Sequence, residues 1–148
     1  MTETENKTTE LYSDIYKNVM MGAQAINNLL PKVKNEELKT ELTEWLAKYE
    51  DFSRIASKEL YEFKIDAKEE DIFTKMGAKV GVAMNTIIDS STSHIAQMLM
   101  EGSTMGISDM TKELHEYENT DCAYGALSLA KELIAFEEDN LEKMKKYL

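Results

Sequence analysis

His94 and His115 are the only histidines in this chain of 148 residues, and Cys122 is its only cysteine. His115 and Glu118 stand at i and i+3, a spacing that puts both on one helix face within reach of one ion, but two ligands do not make a metal site. His94, with Met98 four residues on and Met100 and Met105 beyond, offers the soft thioether donors that suit Cu(I). Methionine at helical spacing serves more often as adaptable core filler. Mid-helix acids stand at Glu50, Glu101, Glu132, Glu137 and Glu138, and Glu59 and Glu137 fall in register with apolar stripes. A metal site built from these residues would draw on His94, His115, Glu101 and Glu137. Cys122 excludes an internal disulfide and any CxxC motif. Its place near a helix start favours a thiolate, and the neighbouring Asp121 opposes one. Both histidines sit in helical patterns with no strand-turn elbow, so a Ser-His-Asp hydrolase is excluded. There is no glycine loop to cradle phosphate and no interleaving of aromatic and basic residues for nucleic acid.

The glycines raise a different question. Gly102 and Gly106 are four apart, as are Gly77 and Gly81. Each costs roughly 1 kcal/mol of helix stability against alanine. Removing side chains from one face lets another backbone approach, whether helix one at Gly22 and Ala23 or a second subunit; packing within the chain is the favoured account.

Positioning these residues falls to helices. Tyr12, Ile15, Val19, Gly22, Ile26 and Leu29 alternate at spacings of three and four, predicting a helix from about Thr9 to Leu30 that Pro31 ends. Residues 1–8 read as a flexible tail ahead of a single domain over 9–148. Asn35 caps a second helix to about Phe63, with Leu38, Leu42, Trp45, Tyr49, Phe52, Ala56 and Phe63 inside and Ile55 and Leu60 beside them. A third, shorter helix is expected from Asp71 to Ile88. "DSSTS" at 89–93 is a run of residues that bond their own backbone, so Ser91 is expected to cap a fourth helix reaching Glu118; the competing break is at Gly102-Ser103. The last helix is expected to be capped by Thr120 or Asp121, with Ala123, Leu127, Ala130, Ile134, Leu141 and Met144 inward. "KIDAKEED" is too short to cross a bundle, so the short helix must run back along it. The four long helices then follow an up-down-down-up order.

Asp and Glu outnumber Lys and Arg by 28 to 17, a formal charge of −11 that repels nucleic acid and anionic membranes. The N-terminus "MTETENKTTE" lacks the basic start and apolar stretch of a signal peptide, and no apolar run approaches a membrane span, so a cytoplasmic protein is expected.

Through "LLPKVKNEEL" at 29–38 and "SHIAQMLMEGSTMGISDM" at 93–110, together with helical periodicity along nearly the whole chain, the sequence resembles the ferritin-like superfamily. More closely it resembles the uncharacterised helical-bundle proteins of that superfamily in spore-forming Gram-positive bacteria. The resemblance implies an all-α, ferritin-like four-helix bundle with a fifth, shorter crossover helix. Members that hold two metals use a Glu from each of two helices and a Glu-x-x-His pair from each of the other two. Here Ser91 stands three residues before His94 and Lys112 three before His115, and between Asp14 and Pro31 there is no acid. The expectation is therefore a non-enzymatic bundle without the standard di-iron motif and without a cofactor. It would act by association with a protein partner or itself, in a structural or adaptor role that the resemblance connects with stress or sporulation. The alternative is a metal-binding or redox protein, with iron or another transition metal on a non-standard His/Glu site.

Overall fold

The computed structural model describes residues 1–69 and 89–148, and these are helical throughout apart from short connections. Among the described residues there are four long helices: α1 (Glu3–Leu29), α2 (Glu36–Glu62), α3 (Thr92–Glu118) and α4 (Tyr124–Met144). The expected helix over 71–88, with Gly77 and Gly81, lies outside the described residues. Among the described residues no helix is long and apolar enough to cross a membrane.

The ends of the helices follow from local chemistry. Asn35 caps α2 by accepting from the Leu38 N–H at 2.9 Å. At its far end, the Ile65 N–H reaches back to the Leu60 carbonyl and the Lys64 N–H to that of Tyr61. This is the Schellman pattern, with Lys64 at φ 61° where glycine is the usual choice. Ser91 caps α3 by accepting from the His94 N–H at 3.2 Å, while Asp89 accepts from the Ser91 N–H at 2.8 Å. The break therefore falls at Ser91, and α3 runs unbroken through Gly102 and Ser103.

Two expectations about helix ends need correction. First, α1 begins at Glu3, not Thr9, so the segment read as a tail is helical. Thr2 and Glu5 form a capping box, the Thr2 hydroxyl accepting from the Glu5 N–H at 3.1 Å and the Glu5 carboxylate from the Thr2 N–H at 3.0 Å. Secondly, neither Thr120 nor Asp121 caps α4. Ala123 holds the cap position without a side-chain bond of its own, and its N–H donates to the hydroxyl of Thr8 on α1 at 3.0 Å. Asp121 instead accepts from the Thr4 hydroxyl at 2.8 Å. The cap is supplied across space, by the very turn that apolar periodicity leaves out.

Side-chain bonds give the running directions. Tyr117 donates to Glu10, and Asn18 to the Gly106 carbonyl, so α1 and α3 are antiparallel. Thr8 meets the start of α4, whereas Lys146 just beyond its end bonds Glu37 and Glu41 at the start of α2. Thus α1 and α4 run one way and α2 and α3 the other, and Phe63 and Ser91 stand at opposite ends of the molecule.

Leu11, Ile15 and Ile26 of α1, Leu38, Leu42 and Leu60 of α2, Ile95 and Met110 of α3, and Leu133 and Met144 of α4 are fully buried. Each such side chain contributes about 2 kcal/mol through removal from water. On α4 the inward face is Ala126, Leu129, Ala130, Leu133, Glu137, Asn140 and Met144. The expected stripe is thus rotated: Ala123 is exposed, and Leu127, Ile134 and Leu141 are half-buried. "ALSLAKELIAF" is apolar on more than one side, so periodicity does not select the face. Packing against the other helices does.

Candidate functional site: a buried carboxyl at the floor of an apolar groove

Near the middle of α4, Glu137 is 1 % exposed. Its Oε1 accepts from the Tyr49 hydroxyl of α2 at 3.1 Å, while its Oε2, also buried, has no hydrogen-bond partner. Burial pushes the carboxyl up to about 7; the Tyr49 hydrogen bond pulls it down and the charge of Asp109 adds to the rise. Tyr49 is itself raised well above the usual phenol range, by burial first and then by Glu137. Such a carboxyl switches between acid and carboxylate near neutrality instead of staying charged.

Room for this group comes from glycine. A Cβ at Gly106 of α3 would stand 2.7 Å from Glu137 Oε2, and a Cβ at Gly22 of α1 would stand 2.5 Å from the Tyr49 ring. The glycines admit a carboxylate and a phenol from the opposite helices, not a neighbouring backbone as the spacing suggested. Gly102 differs from both: a Cβ there meets nothing within 4 Å. It is not a close-packing position within the described fold.

Gly102 opens on a groove of about 460 Å³ between α1 and α3, with Trp45, Tyr49 and Glu137 at its floor. The walls are Asn18, Met21, Gly22, Ala25, Ile26 and Leu29 of α1, and Met98, Leu99, Gly102, Ser103, Met105, Gly106 and Asp109 of α3. Ser103, 5 % exposed, also carries a hydroxyl oxygen without a partner. Ser103, Gly106 and Asp109 follow one another at three-residue spacing, so that a hydroxyl, a gap and a carboxylate succeed each other along the groove side of α3. The site is apolar in its walls and polar at a few convergent points, the usual make-up of a small-molecule pocket.

The sequence-predicted metal candidates do not meet. His94 and His115 lie on the same helix, separated by roughly 30 Å at 1.5 Å per residue. His115 is exposed, and so is Glu101, which accepts from Gln97 on its own helix. Of the four, only Glu137 lines the groove. Among the described residues no three His, Cys, Asp or Glu side chains converge on a point where an ion could sit. Burial raises the Cys122 thiol, outweighing the hydrogen bonds from Thr8 and Ala123 that would lower it.

A second set of acids joins α1 to α3. Burial, followed by a hydrogen bond to Glu113 and that residue's charge, lifts Asp14 to about 7, and Tyr117 donates to Glu10 at 3.0 Å beside them. These groups tie helices together with a shared proton.

Sequence reasoning missed Asn18, Ser103 and Asp109 as groove residues, and placed Tyr49 only as core. The signal available was Glu137 in register with an apolar stripe, since an acid in that position needs a partner or a proton. No protein-family model, no curated protein and no solved structure matches this chain.

Proposed function

We propose that this protein is a non-catalytic, ferritin-like bundle without the standard di-metal motif, and that it works by binding a small, largely apolar molecule in the groove between α1 and α3. The observation that carries the reading is the groove itself: about 460 Å³, walled by apolar side chains and floored by one buried carboxyl. Its volume lies in the range of drug-sized ligand sites. The ferritin-like part rests on the directions of the four long helices, which fit an up-down-down-up order. The metal alternative needs three converging ligands, and the described residues bring no such group together. Association with a protein has less to stand on: among the described residues the exposed large apolar side chains are Met1 and Leu148 at the two ends and Ile55, Tyr61, Met105 and Tyr124, the last four spread over three helices. Scattered single residues of that kind are ordinary on a soluble surface.

Gly102 provides a direct test, because it lines the groove and a Cβ added there meets no atom of the described residues within 4 Å. The neutral fluorophore Nile red is expected to bind the full chain with a blue-shifted, enhanced emission. Gly102→Leu is expected to abolish that binding while leaving the fold intact or stabilised, as judged by circular dichroism. Equal binding by the parent and Gly102→Leu, or no binding by the parent, overturns the reading.

A further inference from the structure

We infer that the molecule this groove takes is an organic monocation, an ammonium group on an apolar body, with the charge delivered to Glu137 at the floor. The inference rests on the groove reading above and adds the chemistry of the guest. Three observations lead to it. Glu137 Oε2 is buried, lies against the gap left by Gly106, and has no hydrogen-bond partner among the described residues. The unpartnered Ser103 hydroxyl stands one helical turn away on the same face of α3. An ammonium carries three donors and no acceptor; the Glu137 carboxylate offers acceptors only, and the Ser103 hydroxyl can accept as well as donate. The Trp45 N–H of the same lining, also without a hydrogen-bond partner among the described residues, is a donor that such a guest leaves unused.

Charge points the same way. Among the described residues the groove is lined by the acids Glu137 and Asp109 and by no Lys, Arg or His. A cation entering it meets two negative groups and no positive one, within a chain of formal charge −11. An anion meets the reverse. A metal ion would find too few ligands, as the separation of the histidines and acids already shows. The remaining walls suit the body of such a guest. Trp45 and Tyr49 supply aromatic lining at the floor, and Met21, Met98 and Met105 present flexible thioethers that adapt to different shapes.

Binding must also depend on pH. The groups that face Glu137 are Tyr49 from α2 and Asp109 from α3, while α1 contributes the uncharged Asn18. A cation pairs with the carboxylate and not with the acid. Glu137 in the free protein takes up its proton near pH 7. Affinity for an amine is therefore lower at pH 6 than at pH 8, while a neutral guest is little affected.

The experiment is displacement of Nile red from the full chain at pH 8 by three molecules with one body: 4-phenylbutylamine, 4-phenylbutanol and 4-phenylbutyrate. The amine is expected to bind about tenfold more tightly than the alcohol, the scale of a charge-assisted hydrogen bond, with the carboxylate weakest. Glu137→Gln should bring the amine down to the level of the alcohol and leave Nile red binding in place. Asp109→Asn, at an exposed position where folding is not at stake, should narrow the same gap in part. If Nile red binds but the amine has no advantage over the alcohol, the cation assignment is wrong and the groove reading survives. If the amine advantage persists in both variants, the charge is recognised elsewhere and the assignment to Glu137 fails. If Nile red does not bind at all, the groove reading falls and this inference falls with it.

Discussion

Gly22 and Gly102 are helical glycines of the same intrinsic cost, placed in opposite surroundings. Replacing either by alanine gains roughly 1 kcal/mol of helix propensity. At Gly102 nothing opposes that gain, since a Cβ meets no atom within 4 Å. At Gly22 the new methyl would stand 2.5 Å from a carbon of the Tyr49 ring, which is buried and bonded to Glu137. The ring cannot retreat without breaking that bond, and overpacking of this kind costs typically 1–3 kcal/mol, roughly equal to or above the propensity gain. Chemical denaturation is therefore expected to show Gly102→Ala more stable than the parent by about 1 kcal/mol. Gly22→Ala should come out no more stable than the parent, and by the same measurement clearly below Gly102→Ala. Equal stability of the two variants would falsify the placement of Tyr49 against α1.

Helix ends show how one element completes another. The first turn of α4 has no capping side chain of its own, and its Ala123 N–H is satisfied by Thr8 of α1, whose hydroxyl also donates to the Thr4 carbonyl at 2.7 Å. With Thr4 bonded to Asp121, the start of α1 holds the α3–α4 connection in place. Thr8→Val keeps the shape and removes the hydroxyl. It is expected to lower stability by about 1 kcal/mol, the ordinary worth of an N-cap. The loss should appear as a lower urea midpoint with an unchanged slope, because the same surface is exposed on unfolding. Hydrogen exchange should then quicken in the first turn of α4, distant in sequence from the substitution. No effect at that turn would mean that α4 is capped by water alone.

For the molecule taken whole, protonation is the main lever on stability. Asp14 and Glu137 both have carboxyls raised to about 7, the first by burial and Glu113, the second chiefly by burial. A carboxyl raised on folding binds a proton more tightly in the native state than in the unfolded chain. Stability is therefore greatest below the unfolded values, near pH 4, and falls as pH rises through about 7. The usual acidic protein, with carboxylates in salt bridges, behaves in the opposite sense. For Glu137 the rise from 4.5 to about 7 corresponds to a loss on the order of 3 kcal/mol at pH 8. Melting temperatures measured from pH 4.5 to 8 are expected to fall across this window. Glu137→Gln should flatten the curve and exceed the parent at pH 8, and Asp14→Asn should flatten it further. A curve that rises towards neutrality would show that neither carboxyl is held in its protonated form.

Much of this architecture was legible in the residues themselves. Composition and periodicity specify an all-helical chain, Asn35 and Ser91 mark two helix starts, and the stripes of α1 and α2 name most of the buried side chains on those two helices. These are local matters: a cap or a three-four spacing acts within a turn or two, so sequence alone determines it. Three things needed the tertiary structure. The start of α1 escaped because its stripe begins only at Leu11 and its threonines are buried by a loop more than a hundred residues away in sequence. The inward face of α4 escaped because its sequence is apolar on more than one side. The groove escaped because no single helix contains it: it exists where Gly102 and Gly106 of α3 leave space beside α1, above a carboxyl from α4 and a phenol from α2. A buried acid in register with an apolar stripe announces that something must satisfy it. Only the approach of four helices decides that one oxygen finds Tyr49 and the other lies buried against Gly106.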